Sequence, residues 1–215
     1  MRAVIIVNLA LSGMESEKEI RMKRSLGPQT LVYPMPAFLI GTYDDTGKPN
    51  IMTVAWGGIC CSAPPLAAVS VRKERWTYDA ICARKAFTIN IPSADMAART
   101  DFAGMASGGK TDKFKELGLT PVRGEFADAP YVRECPMVLE LSLHSATELG
   151  SQVLFIGEIK DVKAEESCLD ENGKPVLEKL DPLIYDGGAR EYYRPGAVVG
   201  KAFSGGKVFW KKNGE

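Results

Sequence analysis

The sequence predicts a mainly β protein, a small β-barrel with a few short helices. Its apolar runs are short and bounded by turn-forming residues, and the clearest of them alternates apolar and polar positions along one strand. Only two or three brief helical patterns interrupt them, whereas a doubly wound α/β sheet needs a crossover helix after nearly every strand. With 45% apolar and 25% charged residues in a chain of 215, one domain with a packed core is expected, and a mainly disordered or collagen-like chain is excluded.

Taken in order, Phe38–Tyr43 reads as a strand, 44–48 as a turn and 50–56 as the returning strand of a hairpin. Residues 66–72, after Pro64-Pro65, form a third strand. Residues 77–85 carry Tyr78, Ile81 and Cys82 at helical spacing, and 87–91 is a fourth strand stopped by Pro92. A helical stretch over 94–102 leads into a glycine-rich loop, and a single turn over 112–117 ends at Gly118. The sheet then resumes. Residues 138–145 set Leu139, Leu141 and Leu143 on one face against Glu140, Ser142 and His144 on the other, so His144 points away from the apolar side. A long strand over 153–164 and a turn over 171–174 follow, and the tail over 183–209 is rich in Tyr and Gly.

Charge removes several function classes. Lysine plus arginine (27) equals aspartate plus glutamate (27), so no global field exists to hold a nucleic-acid backbone or an anionic membrane. Any anion site must be local. The one histidine, His144, excludes multi-histidine metal centres and leaves at most one imidazole base, so neither a metal site nor a nucleophile-base-acid set is expected. The five cysteines, Cys60, Cys61, Cys82, Cys135 and Cys168, are odd in number and show no metal-ligand spacing. The adjacent pair could serve a redox role, although small buried thiols in a strand are the commoner case. Reduced thiols place the chain in the cytoplasm.

The apolar run over 3–11 after Met1-Arg2 resembles a truncated signal peptide, but it is too short to span a bilayer. A charged stretch over 15–23 follows, and the favoured reading is an N-terminal extension over 1–21 upstream of a domain over 22–215. Nothing later reaches transmembrane length.

Three segments could carry chemistry. Gly104-Met105-Ala106-Ser107-Gly108-Gly109-Lys110-Thr111 satisfies the G-x-x-x-x-G-K-[ST] phosphate-loop pattern, which would make the chain a P-loop nucleotide hydrolase using Lys110 and Thr111. Such a loop needs a buried strand before its first glycine and a long helix after its threonine, and the sequence offers neither. In the second segment, Ser70-Val71-Arg72-Lys73-Glu74-Arg75-Trp76-Thr77, a strand ends in a hydroxyl and a cation just before a helix. Ser70, Arg72, Thr77 and the free amides there could converge on one phosphate. The competing reading is a solvated charge cluster with Thr77 only a helix cap. The third segment, Asn50-Ile51-Met52-Thr53-Val54-Ala55-Trp56-Gly57-Gly58, is a strand opening into glycines beside a large aromatic, where backbone could approach a flat ligand, the Thr53 hydroxyl could read its polar edge and Trp56 could wall it. Trp56 is otherwise a core residue.

Together these residues resemble the flavoredoxin-like members of the flavin reductase family, the FMN-binding split barrels. The resemblance runs from about residue 22 to 207. It is carried by Met22-Lys23-Arg24-Ser25-Leu26-Gly27, by Met52 through Ser62, by Val71-Arg72-Lys73-Glu74-Arg75-Trp76-Thr77-Tyr78 and by Phe87-Thr88-Ile89-Asn90-Ile91-Pro92. Ser107-Gly108, Asp112-Lys113-Phe114, Leu117 through Pro121, Phe155-Ile156-Gly157-Glu158, Tyr192-Tyr193 and Gly200-Lys201-Ala202-Phe203 continue it.

The resemblance implies one non-covalent FMN per subunit in a pocket near a homodimer interface. It implies that Thr53, Val54, Ala55 and Trp56 lie along the ring system, that Ser70, Arg72 and Thr77 serve the ribityl phosphate, and that Val71 also touches the cofactor. Ser107, Gly108 and Lys113 then belong to a loop closing over the cofactor, with Lys113 rather than Lys110 the relevant cation. Tyr185 and Tyr193 could add aromatic walls. Gln152 stands where relatives often carry a histidine near the flavin, which removes an imidazole from that position. The implied activity is a flavin oxidoreductase or electron carrier that takes hydride from a transient NAD(P)H and passes electrons to a flavin or protein acceptor. The cofactor does the chemistry, so no catalytic side chain is required.

Overall fold

The computed structural model describes residues 22–210, so the extension expected over 1–21 lies outside the described residues. The chain divides into two units, Met1–Thr30 and Leu31–Glu215. The described part of the first, 22–30, is exposed and without regular structure; its Gln29 Nε2 donates to the Leu26 carbonyl at 2.7 Å.

In the second unit β1 (Met35–Pro36) and β2 (Phe38–Tyr43) precede β3 (Pro49–Val54), β4 (Gly57–Ser62) and β5 (Pro65–Arg72). Helix α1 (Trp76–Arg84) and β6 (Ala86–Ile91) follow, then α2 (Ala97–Met105), entered through a 3₁₀ turn over Ala94–Met96, and α3 (Lys113–Leu117). Strands β7 (Pro121–Arg123) and β8 (Pro130–Val132) form a small ribbon. The long strands β9 (Met137–Leu149) and β10 (Gln152–Ala164) lead to α4 (Leu177–Leu180), β11 (Ile184–Asp186) and β12 (Glu191–Tyr193).

Seven strands make one antiparallel sheet in the order β3-β2-β6-β9-β10-β5-β4, and β1, β11 and β12 make a separate small sheet. Strands β3 and β4 are opposite edges of the large sheet, yet only Ala55 and Trp56 separate them in sequence. The sheet must therefore curl until its edges approach at those residues, and it does not close there. The result is a split barrel, a mainly β fold with short helices.

Burial explains the curl. Ile40, Val69, Val71, Phe87, Ile89, Leu141, Val153 and Phe155 fill one face of the sheet. The opposite face of β2 and β3, with Leu39 and Ile51, is covered by Met96, Ala103 and Phe114 from the α2–α3 region. Strands covered on both faces read as continuous apolar runs, which is what Phe38–Tyr43 shows. Each such side chain contributes roughly 1.5–3 kcal/mol on burial.

Two local differences from the sequence reading have physical causes. Residues 57–62, where the sequence shows a strand opening into glycines, form strand β4. Pairing with β5 overrides the low strand preference of Gly57-Gly58, with a register shift between Ile59 and Cys61. Glu140, which the alternation sets on the face away from the leucines, is nevertheless fully buried. Residues 124–129 fold over its face of β9, and its Oε2 accepts from Phe126 N at 2.7 Å and Ala127 N at 3.1 Å while Lys163 Nζ reaches Oε1 at 2.7 Å. Burial alone would raise this carboxyl. The Lys163 ammonium and the Phe126 amide outweigh it and hold the group below the usual carboxylate range.

Candidate functional site

Where the barrel is split, the ends of β3 and β5 leave a cleft of about 260 Å³. Thr53, Val54, Ala55 and Trp56 line it from β3 and the turn beyond; Ser70, Val71 and Arg72 line it from β5. Two bonds fix this opening. Ser70 N donates to the Trp56 carbonyl at 2.9 Å, pinning the turn, and Thr53 Oγ1 donates to the Thr100 carbonyl at 2.5 Å, tying β3 to α2. Trp56 remains 41% exposed, so its ring is a wall of the cleft and not a core residue. Gln152, which closes the register opposite Arg72, also lines the cleft, with Ser70 Oγ at 3.5 Å from its Oε1.

A smaller hollow of about 60 Å³ adjoins it, lined by Thr77, Ser107, Gly108 and Lys113 together with Asn50, and Glu74 places one carboxylate at it against the two cations Lys113 and Arg75. Met52 and Arg75 line both. The predicted residues are therefore gathered around two neighbouring spaces, and Thr77 sits with the loop residues, apart from Ser70 and Arg72. Thr77 is buried in the first turn of α1, whose N-cap is Arg75, so it does not cap the helix. The Arg72 guanidinium is half-exposed and 3.6 Å from Glu74. Tyr185 and Tyr193 line neither space; Tyr185 packs against Tyr192 at 5.5 Å between ring centroids.

The smaller hollow has unusual electrostatics. Lys113 is only 3% exposed, and its ammonium donates to the carbonyls of Ala103 at 2.7 Å and Ile51 at 2.8 Å. No carboxylate pairs with it among the described residues. Burial, helped by the Arg75 guanidinium, pushes it down to about 8. Beside it Asn50 is 4% exposed, and its Oδ1 has no hydrogen-bond partner. A buried cation and an unfulfilled amide on one small space are a poor arrangement for an empty protein and a good one for an anionic ligand. The amide orientation is interchangeable, so Asn50 can present its NH₂ to such a ligand.

Asn50, Arg75, Met52 and Gly104 all lie in the segments singled out in the sequence, but nothing there assigns any of them a role of its own. Asn50 left a trace: it is the polar member of the inward set Asn50, Met52, Val54 on β3. The phosphate-loop pattern takes a different form in space. Gly104 lies within α2, a turn follows, and the five residues of α3 come after Thr111, so no strand precedes the glycine and no long helix follows. Lys110 is exposed to solvent, whereas Lys113 is enclosed.

Residues 30–194 match the flavin reductase like domain. The chain belongs to this family. Among solved structures, this flavin reductase-like chain is similar to the flavoredoxin of Desulfovibrio vulgaris (Miyazaki F), at 55% identity and TM-score 0.84, over 86% of this chain and 100% of that one. It is similar to the flavoredoxin from Methanosarcina acetivorans at 32% identity and TM-score 0.83, over 88% and 100% of the two chains. An FMN-binding protein from Thermus thermophilus aligns at 25% identity and TM-score 0.69, over 82% of this chain and 96% of that one. Among the described residues no helix is long and apolar enough to cross a membrane, and no cluster of His, Cys, Asp and Glu is placed to hold a metal ion.

Proposed function

We propose that this flavin reductase-like chain is an FMN flavoprotein that receives two electrons as hydride from NADH or NADPH and passes them to a flavin or protein acceptor. The pairing of an aromatic-walled cleft with a smaller cationic hollow carries the reading. FMN joins a flat, largely apolar ring system to a dianionic phosphate, and the two spaces divide along those chemistries. When bound, FMN supplies the electron-accepting ring.

The residues of this chain then have distinct tasks. Thr53 through Trp56 offer backbone polar groups and an aromatic face to a planar ligand, and the Thr53–Thr100 bond keeps that strand end in place. Lys113, Arg75, Asn50 and the Gly108 backbone hold the anionic end, where a buried cation is worth more than an exposed one. Gln152 and Ser70 border the cleft with neutral polar groups and bring no ionisable side chain to it. A transient nicotinamide donor needs no dinucleotide fingerprint of its own.

The proposal extends to one flavin domain over 22–215, a homodimer and a cytoplasmic location; all five cysteines are free thiols, which suits a reducing compartment. The decisive preparation is the purified chain itself. A yellow protein that releases FMN on denaturation, and whose bound flavin is bleached by NADH or NADPH without oxygen, is expected. A colourless chain from which added FMN dialyses freely would end the proposal. Retained flavin that neither nicotinamide bleaches would leave an electron carrier fed by a protein donor.

A further inference from the structure

A third hollow lies outside the lining of the flavin site. It is a groove of about 340 Å³ beside β1 and β11, and apart from a trace of polar surface its walls are apolar, with Met35, Phe38, Ile91, Leu177 and Ile184 among them. None of its lining residues borders either part of the cofactor site. Pro195 forms one edge. There the chain leaves β12 and becomes an arm over 196–210 whose only regular piece is a 3₁₀ turn, Gly205–Phe209.

The arm is built like an interior segment and lies outside. Val198, Val199, Phe203, Val208, Phe209 and Trp210 are all at least 73% exposed, and Phe203 and Val199 are exposed completely. Scattered surface apolar residues need no explanation, but a run of this kind marks a contact surface. The same molecule thus carries an uncovered apolar segment and an unfilled apolar groove. The groove is not filled by its own arm: Pro195 touches it, and the side chains that follow lead away into solvent.

We propose that the groove receives the C-terminal arm of a second copy of this chain, with the exchange made reciprocally about a two-fold axis. The area is sufficient. Three aromatic side chains per arm at roughly 150–250 Å² each, taken over two arms, give about 900–1,500 Å² before the valines are counted. That range brackets the threshold of about 1,000 Å² for a specific interface, and the three valines of each arm add to it. A two-fold exchange leaves no arm or groove unpaired, so the assembly stops at two. The root of the arm is also held: Tyr192 OH donates to Asp101 on α2, the helix that borders the flavin cleft, at 3.2 Å.

The inference rests on the homodimer proposed above and adds which segment crosses and where it lands. Two single variants at exposed positions, Leu177→Cys and Phe203→Cys, are made in a Cys60→Ser, Cys61→Ser background, given different tags, co-expressed and mildly oxidised. Light scattering gives the mass, and peptide mass spectrometry locates the disulfide. A dimer with a disulfide joining position 177 of one chain to position 203 of the other is expected. In the chain carrying both substitutions, a 177–203 disulfide formed only within one chain would overturn the exchange by showing that the arm folds back. A dimer with no such disulfide in either preparation overturns the exchange and leaves the dimer standing. A monomer, including one whose arm instead sediments with anionic lipid vesicles, overturns both.

Discussion

Gly108 lies directly against the side-chain amide of Asn50: a Cβ at position 108 would stand 2.5 Å from Asn50 Oδ1 and 2.7 Å from its Cγ. Glycine is needed there because the loop after α2 passes over an amide that has nowhere to retreat in a β-strand. Gly108→Ala must displace either the loop or Asn50. We expect FMN affinity to fall by roughly five- to a hundredfold while far-ultraviolet circular dichroism is unchanged, since overpacking by one methyl costs about 1–3 kcal/mol. A Kd equal to that of the unsubstituted chain would detach the Asn50 amide from the ligand.

Lys113 makes FMN binding depend on pH. Its ammonium is lowered to about 8 in the free chain by burial first and Arg75 second. A phosphate dianion placed beside it raises that value, so binding takes up a proton once the free lysine has begun to lose its own. Affinity is therefore full below pH 8 and declines as pH rises above it. Riboflavin, which lacks the phosphate, is expected to keep a flat profile over the same range. Titrations of both flavins by fluorescence quenching between pH 6.5 and 9.5 check this, and parallel declines would refute it. Lys113→Met is expected to remove the slope from the FMN curve.

The three nearby cations are expected to separate by position. Arg75 borders both hollows, Arg72 is half-exposed and turned to Glu74, and Lys110 is in solvent. Arg75→Ala is expected to weaken FMN by roughly ten- to a hundredfold, the worth of a hydrogen bond to a charged group. Arg72→Ala is expected to weaken it less, and Lys110→Ala to leave flavin content within experimental error. Loss of flavin from the Lys110 variant would make Lys110, and not Lys113, the cation that serves the phosphate.

Glu140 tests the fold independently of the cofactor. It is fully buried and held by Lys163 and two backbone amides. Glu140→Ala strands those donors and is expected to lower the unfolding free energy by about 3 kcal/mol. Because the folded carboxyl is held low, its contribution is present above the unfolded value and is lost as pH falls through the folded one. Urea midpoints of the two proteins should therefore converge on acidification, and a constant gap down to strongly acidic pH would contradict the assignment.

The sequence made most of the sheet legible because its central strands announce themselves. Phe38–Tyr43 and the alternation through Leu139 and Leu141 are dictated by burial, and Asp112 and Gly118 bracket α3 as cap residues do, with Asp112 Oδ1 accepting from Lys115 N and Gly118 at φ 60°. Strand β4 was hidden because its glycines gain strand geometry only from β5. Glu140 misled because period-2 alternation says which side a residue faces and nothing about a later loop covering that side. At the site, Thr53 through Trp56 and Ser70 through Arg72 were visible as strand ends. Asn50 and Arg75 stand in the same two segments without any sign of a role, because their importance comes from α2 and its loop folding back across β3, a relation that no local pattern contains.

Ser70 and Arg72 take their positions opposite Leu154 and Gln152, and Ser70 and Gln152 are 82 residues apart in the chain. A nascent polypeptide still threaded through the ribosome has made Trp56 and Lys113 long before it has β10 to set β5 beside them. Pairing over so great a sequence distance requires β10 to have been made and the intervening chain to be closed into a loop. Insertion of the vitamin-derived group therefore belongs after synthesis has passed that strand, and a chain that stalls short of it leaves the ribosome unable to keep its pigment.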